Sequence, residues 1–285
     1  MELAANPVIA AFPASCSFRR IICLTAETTE ALYALGEEDR IVGISGYTTR
    51  PARARREKPK VSAFTSAKLD KIIALQPDLV LGFSNLQADI AAELIRAGIE
   101  VHIFNQRSIQ EILRMIATVG SIGDAEEKAS ALVAQLETAI TQARETAQQF
   151  ESRPRVYFEE WDEPIISGIR WVSDLIEIAG GTDCFADLSA HASAGDRVIA
   201  DPNQVVERMP DIIIGSWCGK KFQPEAVINR PSWRDIPAVR NGMLFEIKSA
   251  DILQPGPYAI THGLRQLQQI VQRWGAQQSF AKHWS

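Results

Sequence analysis

Two short stretches decide how this chain is read: "ALQPDLVLG" at 74–82 and "ERMPDIIIG" at 207–215. Each carries a Pro-Asp, three aliphatic residues and a glycine, and Pro77 and Pro210 stand 133 positions apart. Proline ends the preceding helix because it removes a backbone donor and disfavours helical geometry one residue earlier. The uninterrupted aliphatic run that follows suits a strand buried on both faces, as in a parallel sheet.

The same grammar extends outward from the first phrase. "RIICL" at 20–24 reads as a strand, followed by a helix carrying Leu32 and Leu35 and stopped at Gly36. "RIVGISGY" is a second strand, "RPARARREKPK" at 50–60 a basic loop, "KLDKIIALQP" a helix, and "DLVLGF" a buried strand. A helix ending at Gly98 and the strand "EVHIF" complete the pattern. Around the second phrase, "RPRVYFEEW" is a strand and "WVSDLIEIAGG" a helix. "DPNQVVERMP" is a helix capped by Asp201, "DIIIGSW" a strand, and "AVRNGMLFEI" a strand entered through an Asn-Gly turn. The last helix spans residue 258 to about 274.

Between the two halves, residues 108–150 show no strand pattern. With Asp124 as N-cap, 125–150 reads as one helix whose Leu132, Val133, Leu136, Ile140, Ala143, Ala147 and Phe150 form a stripe. At about 1.5 Å per residue it is roughly 39 Å long, enough to span two lobes. The expected architecture is therefore α/β: two Rossmann-like lobes with parallel-rich sheets, joined by a long interdomain helix. The boundaries expected are 1–107 for the first lobe, 108–152 for the linking segment and 153–285 for the second lobe. The phrase occurs twice because two similar lobes each need it.

Composition narrows the function. The chain has 285 residues, 46% of them hydrophobic, and a formal charge of −5. An acidic chain whose one basic run lacks interleaved aromatics argues against nucleic-acid binding. No stretch reaches the ~20 apolar residues of a membrane span. The N-terminus opens with an acidic residue and is broken by Pro7 and Pro13, so no export signal is read there, and Cys16 makes a poor lipidation site. Cys16, Cys23, Cys184 and Cys218 form no metal or disulfide spacing, and only Cys218 stands where a ligand could meet it.

Catalytic motifs are absent. His102, His191, His262 and His283 are scattered, and neither a nucleophile elbow nor a phosphate loop occurs. His102 reads as structural; His191, in a loop, could approach a ligand. The acidic run Glu159, Glu160, Asp162 and Glu163 follows a strand. In open parallel sheets ligands bind outside the carboxyl ends of the strands. That rule selects Phe83 and Ser84 after the first phrase, and Ser216, Trp217 and Cys218 after the second. Tyr47, Phe64, Trp161 and Tyr258 also stand at strand ends or in loops, and such a set suits a large, flat, partly apolar ligand.

"RIICLTAETTEALYALGEEDRIVGISGY", "LDKIIALQPDLVLGF", "LIEIAGGTDCF", "PDIII", "WRDIPAVRNGMLFEI" and "PGPYAITHGL", with the long helix between them, resemble the helical-backbone class of substrate-binding proteins of ABC importers. Ligands of that class include cobalamin, ferric siderophores and haem. The resemblance spans residues 19–274 and leans toward the cobalamin-binding branch. It implies a corrinoid ligand contacted by Tyr47, Phe64, Phe83, Glu160, Trp161 and Trp217, transported rather than used as a cofactor, with no bond made or broken. It also implies a monomer located in the periplasm if exported, or in the cytoplasm if the chain has left transport. Docking glutamates that meet an ABC permease in this class fall here on Asp70 and Asn203, and Asn203 has no carboxylate. Other readings are the same fold holding a ferric siderophore, haem or an oxyanion, or a tetrapyrrole chelatase-like enzyme pairing His191 with Glu159 or Glu160.

Overall fold

The computed structural model describes residues 17–283, with side chains through Ser279; Cys16, the N-terminal residues and the His283 side chain lie outside that description. Among the described residues, the strands β1 (Ile21–Cys23), β2 (Ile41–Ser45), β3 (Lys60–Ser62), β4 (Leu79–Phe83) and β5 (Val101–Phe104) form one sheet. Its order is β3-β2-β1-β4-β5 and every pairing is parallel. The second sheet contains β6 (Arg155–Asp162), β7 (Ile165–Ser167), β8 (Thr182–Asp183), β9 (Ile212–Gly215) and β10 (Leu244–Glu246). It runs β10-β9-β6-β7 with β8 on β6, parallel except for the β6–β7 hairpin. Both repeated phrases thus become the buried central strands β4 and β9.

Alternation along the strands divides the core. Ile22, Leu24 and Val80 pack with Ile72, Ile90 and Leu94 on one face of the first sheet. Ile21, Cys23, Leu79, Leu81 and Phe83 face the other way, into a cluster that continues without interruption to Val156, Ile213 and Trp233 of the second sheet. One apolar core therefore runs through both lobes, which favours a stiff connection.

The connection is a pair of helices, Ile109–Ile122 and Glu126–Ala147, packed on one another. Ser108 starts the first with a capping box, accepting from the Glu111 N–H while Glu111 accepts from the Ser108 N–H. The second begins near the first lobe, where Lys128 Nζ lies 2.8 Å from Glu37 Oε1, and ends against the second, where Ala147 and Phe150 touch Gly180.

Four local expectations need correction. Asp124 is not the N-cap of the long helix: it takes a left-handed backbone (φ 51°) between the two helices, and Ala125 occupies the cap without a side-chain bond. Asp201 lies one residue outside the cap of Asn203–Arg208, although its carboxylate accepts the Asn203 N–H. The basic run is not a plain loop, since it contains a helical turn at Ala54–Glu57 and the start of β3. In "AVRNGMLFEI" only Leu244–Glu246 is strand. Pro237–Arg240 is helical and Gly242, at φ 63°, closes that turn with the Met243 N–H on the Ala238 carbonyl. The last helix opens with a π-helical turn, Ala259–Gly263, before Leu264–His283.

Candidate ligand-binding cleft

The carboxyl ends of the two sheets approach one another. Gln106, just beyond β5, donates to the Pro255 carbonyl at 3.1 Å, and Gln254 donates to the Tyr47 carbonyl at 3.4 Å. Arg50 pairs with Asp251 and donates to the Ala250 carbonyl at 2.9 Å. These contacts join the lobes along one side of a cleft whose walls are the strand ends.

On the first wall, Gln87 organises the aromatic residues. Its amide donates to the Phe64 carbonyl (2.8 Å) and accepts the Phe83 N–H (2.9 Å), which ties the end of β4 to the loop after β3. The Phe64 and Phe83 rings lie 6.5 Å apart. Glycine ends the phrase here because a Cβ on Gly82 would stand 2.7 Å from the Gln87 oxygen. Ser84 is fully buried at φ 68°, and its hydroxyl accepts the Leu86 N–H. Tyr47 is 62% exposed.

The second wall is built from ion pairs. Glu159 has no exposed surface and accepts from Arg230 (2.6 and 2.9 Å), Tyr157 (2.7 Å) and Trp217 (3.0 Å). Burial, then the Glu159 charge, pushes the Tyr157 hydroxyl well above its usual range. Burial opposes the Arg230 charge, but Glu159 outweighs it and the pKa rises. Glu160 is held by both terminal nitrogens of Arg197, at 2.7 and 3.2 Å. Asp162 pairs with Lys220 at 2.5 Å. The Lys220 ammonium stands 4.4 Å from the centre of the Trp161 ring and 5.1 Å from that of Trp217.

Several candidates from the sequence therefore come together, and others do not. Phe64 joins Phe83 on one wall, where Phe83 is only 5% exposed and belongs mostly to the core, and Trp161 joins Trp217 on the other under a shared lysine. Trp217 is only 4% exposed, packed against Phe222 at 5.1 Å, so most of its surface belongs to the core. Gly215 permits this packing, since a Cβ there would stand 1.8 Å from the Phe222 ring. Cys218 is an exposed residue whose thiol nevertheless sits among protein atoms. Burial, then the Glu160 charge, pushes it up to about 11, which keeps it protonated near neutrality. Tyr258 stands apart, stacked on His262 at 4.4 Å with the Arg50 guanidinium 4.8 Å from its ring.

His191 is exposed, and its backbone N–H bonds the Leu188 carbonyl. Its partners in a chelatase-like reading, Glu159 and Glu160, are occupied by arginines, and no group of three metal-ligating side chains occurs among the described residues. His102 is exposed on the edge strand β5, 4.3 Å from the Phe104 ring, rather than enclosed. Asp70 and Asn203 are both exposed in the first turns of Leu69–Ala74 and Asn203–Arg208, the helices that lead into the two repeated strands.

Sequence reading missed the arginines. Arg107 directly follows Gln106, which contacts the other lobe, and lies three residues beyond β5, so the strand-end rule that selected Phe83 could have selected it. Arg197 and Arg230 carried no local signal, because their carboxylate partners are 37 and 71 residues away. A separate groove of about 1070 Å³ lies behind the linking helices, lined by Arg144, Arg153, Arg170, Asp174 and Glu177 among others. It holds none of the aromatic candidates.

A 26% identical relative, an uncharacterized ABC transporter substrate-binding lipoprotein of Bacillus subtilis, aligns over 89% of this chain and 80% of its own length. The vitamin B12-binding protein of Vibrio parahaemolyticus is 26% identical over 84% of each chain. A solved structure from Staphylococcus epidermidis, described as a possible iron-binding, periplasmic solute-binding protein, superposes with a TM-score of 0.77 at 23% identity. It covers 90% of this chain and 99% of that one, a likeness of fold. The profile of the periplasmic binding protein family matches residues 21–250, and the chain belongs to that family.

Proposed function

We propose that this protein is the substrate-binding component of an ABC importer and that its ligand is a corrinoid, captured between the lobes and presented to the permease. The observation that carries the reading is the placing of Phe64 and Phe83 on one wall and Trp161 on the other, at the strand ends where a flat, partly apolar macrocycle would lie. The vitamin B12-binding relative supports the same ligand class. In this reading Tyr47, Glu160 and Cys218 frame the ligand from the surrounding loops, the buried Ser84 and Trp217 support the walls from beneath, and Tyr258 stands aside with Arg50. Lobes 1–107 and 153–285 close on it about the segment 108–152. Asp70 and Asn203 meet the permease, with one carboxylate instead of two, and the protein works outside the cytoplasm as a monomer.

A second reading keeps the fold and exchanges the corrinoid for haem, a ferric siderophore or an oxyanion. It is favoured by the unpaired cation Arg107 beside Phe83. Titration calorimetry with cyanocobalamin and cobinamide tests the first reading. Saturable one-to-one binding, weakened by Phe83→Ala and by Trp161→Ala, is expected; no heat of binding with either corrinoid removes the assignment.

A further inference from the structure

Among the described residues, four cations of the cleft are matched with carboxylates and the one that lies against Phe83 is not. Arg50 has Asp251, Arg230 has Glu159, Arg197 has Glu160 and Lys220 has Asp162. Among the described residues, none places a carboxylate in salt-bridge contact with Arg107. Its guanidinium lies 4.9 Å from the centre of the Phe83 ring, one Nη donates to Asn105 at 3.0 Å, and its Nε is buried with no partner. The adjacent acid, Glu111, turns its carboxylate to the backbone N–H groups of Arg107 and Ser108, at 2.7 and 3.0 Å.

Arg197 faces Arg107 from the other lobe. Its side chain is 2% exposed, held by Glu160 and by the Ser167 carbonyl, and its Nε is also buried without a partner. Two guanidinium groups repel across the cleft, and Glu160 answers only part of that charge. Burial, followed by the Arg197 charge, lowers the Arg107 pKa, so the Arg107 charge is only partly compensated where it stands. A cation stacked on an aromatic ring, with an unused planar N–H and an uncompensated like charge nearby, is suited to a bidentate oxyanion.

We propose that Arg107, backed by Arg197, is the specificity-determining anion contact of the cleft, so that the favoured ligand carries a phosphate or carboxylate on the edge that rests beside Phe83. This rests on the reading of the cleft as a macrocycle site and narrows it. An anion bound there would relieve the repulsion between lobes and thereby favour closure. The ligand's charge would then be coupled to the conformation presented to a partner.

The test uses two ligand pairs whose members differ by an anionic group: cobinamide phosphate against cobinamide, and haem against its dimethyl ester. Affinities are measured for the wild-type protein, Arg107→Gln and Arg107→Lys. The wild type is expected to prefer the charged member of at least one pair by about tenfold or more, the scale of one charge-assisted hydrogen bond. Arg107→Gln should collapse that ratio toward one, while Arg107→Lys keeps part of it. A preference in the first pair identifies a phosphate-bearing corrinoid, and one in the second a carboxylate-bearing tetrapyrrole. Equal affinity for both members of each bound pair, or a ratio unchanged by Arg107→Gln, overturns the anion contact alone. Failure of all four to bind overturns it together with the macrocycle reading. Circular dichroism and a thermal melt establish that each variant is folded.

Discussion

Neutralising Glu30 should stabilise this protein at alkaline pH and leave it nearly unchanged in mild acid. Glu30 lies on the helix Ala26–Ala34, is 2% exposed, and its carboxylate makes no side-chain hydrogen bond. It faces Glu27 on its own helix, Arg50 on the following loop, and Asp251 and the Tyr258 backbone on the opposite lobe. A Cβ on Gly256 would stand 3.1 Å from its Oε2, so the second lobe is seated directly on it. Burial, then the Glu27 charge, raises the Glu30 pKa from 4.5 to about 8, the Arg50 charge and the Tyr258 N–H offsetting only part. Burial likewise raises Glu27 to about 7.

A carboxyl whose folded pKa exceeds its unfolded value favours the folded state fully below the unfolded pKa, and that advantage is lost as pH rises through the folded pKa. The window is therefore from 4.5 to about 8. At about 1.36 kcal/mol per pH unit, the loss across it is on the order of 5 kcal/mol for Glu30. Glu30→Gln keeps the shape without the charge. Urea denaturation of both proteins from about pH 5 to about pH 9 should give curves that coincide at the acid end. They should separate by several kcal/mol at the alkaline end, with the variant more stable. A stability difference that does not change with pH would refute the reasoning.

Three further outcomes follow from the second lobe and the docking helices. Arg230→Met strands the buried Glu159 and should cost about 3–5 kcal/mol, read as a fall in Tm. Gly215→Ala drives a methyl group into the Phe222 ring and should destabilise by about 1–3 kcal/mol in the same melt. If Asp70 meets the permease, Asp70→Ala should weaken permease-dependent uptake while leaving ligand affinity in solution unaltered, and Asn203→Glu should strengthen it.

Legibility in the sequence followed the range of the forces involved. Strands β1, β4 and β9 could be read because a strand covered on both faces must be aliphatic throughout, and the helices before them because proline and glycine punctuate locally. The start of the long helix could not, because Asp124 has the composition of a cap but the left-handed backbone of a hinge between two helices. Likewise "AVRNGMLFEI" has apolar residues compatible with a strand, yet Ala238 is committed by its N–H to the Pro210 carbonyl, which leaves only the second half for the sheet. At the cleft, the aromatic residues were accessible through the strand-end rule. The ion pairs around them were not, since pairs such as Glu159 with Arg230 are made by the fold across dozens of residues.

Hydrogen exchange of the whole chain with and without cyanocobalamin tests the central claim most directly, because it locates the ligand as well as detecting it. The account predicts slowed exchange at residues 46–48, 63–64, 83–84, 105–107 and 161–162, the strand ends that form the cleft walls. Protection confined to residues 108–113, 141–150 and 170–178 would place the ligand in the groove behind the linking helices and contradict the cleft.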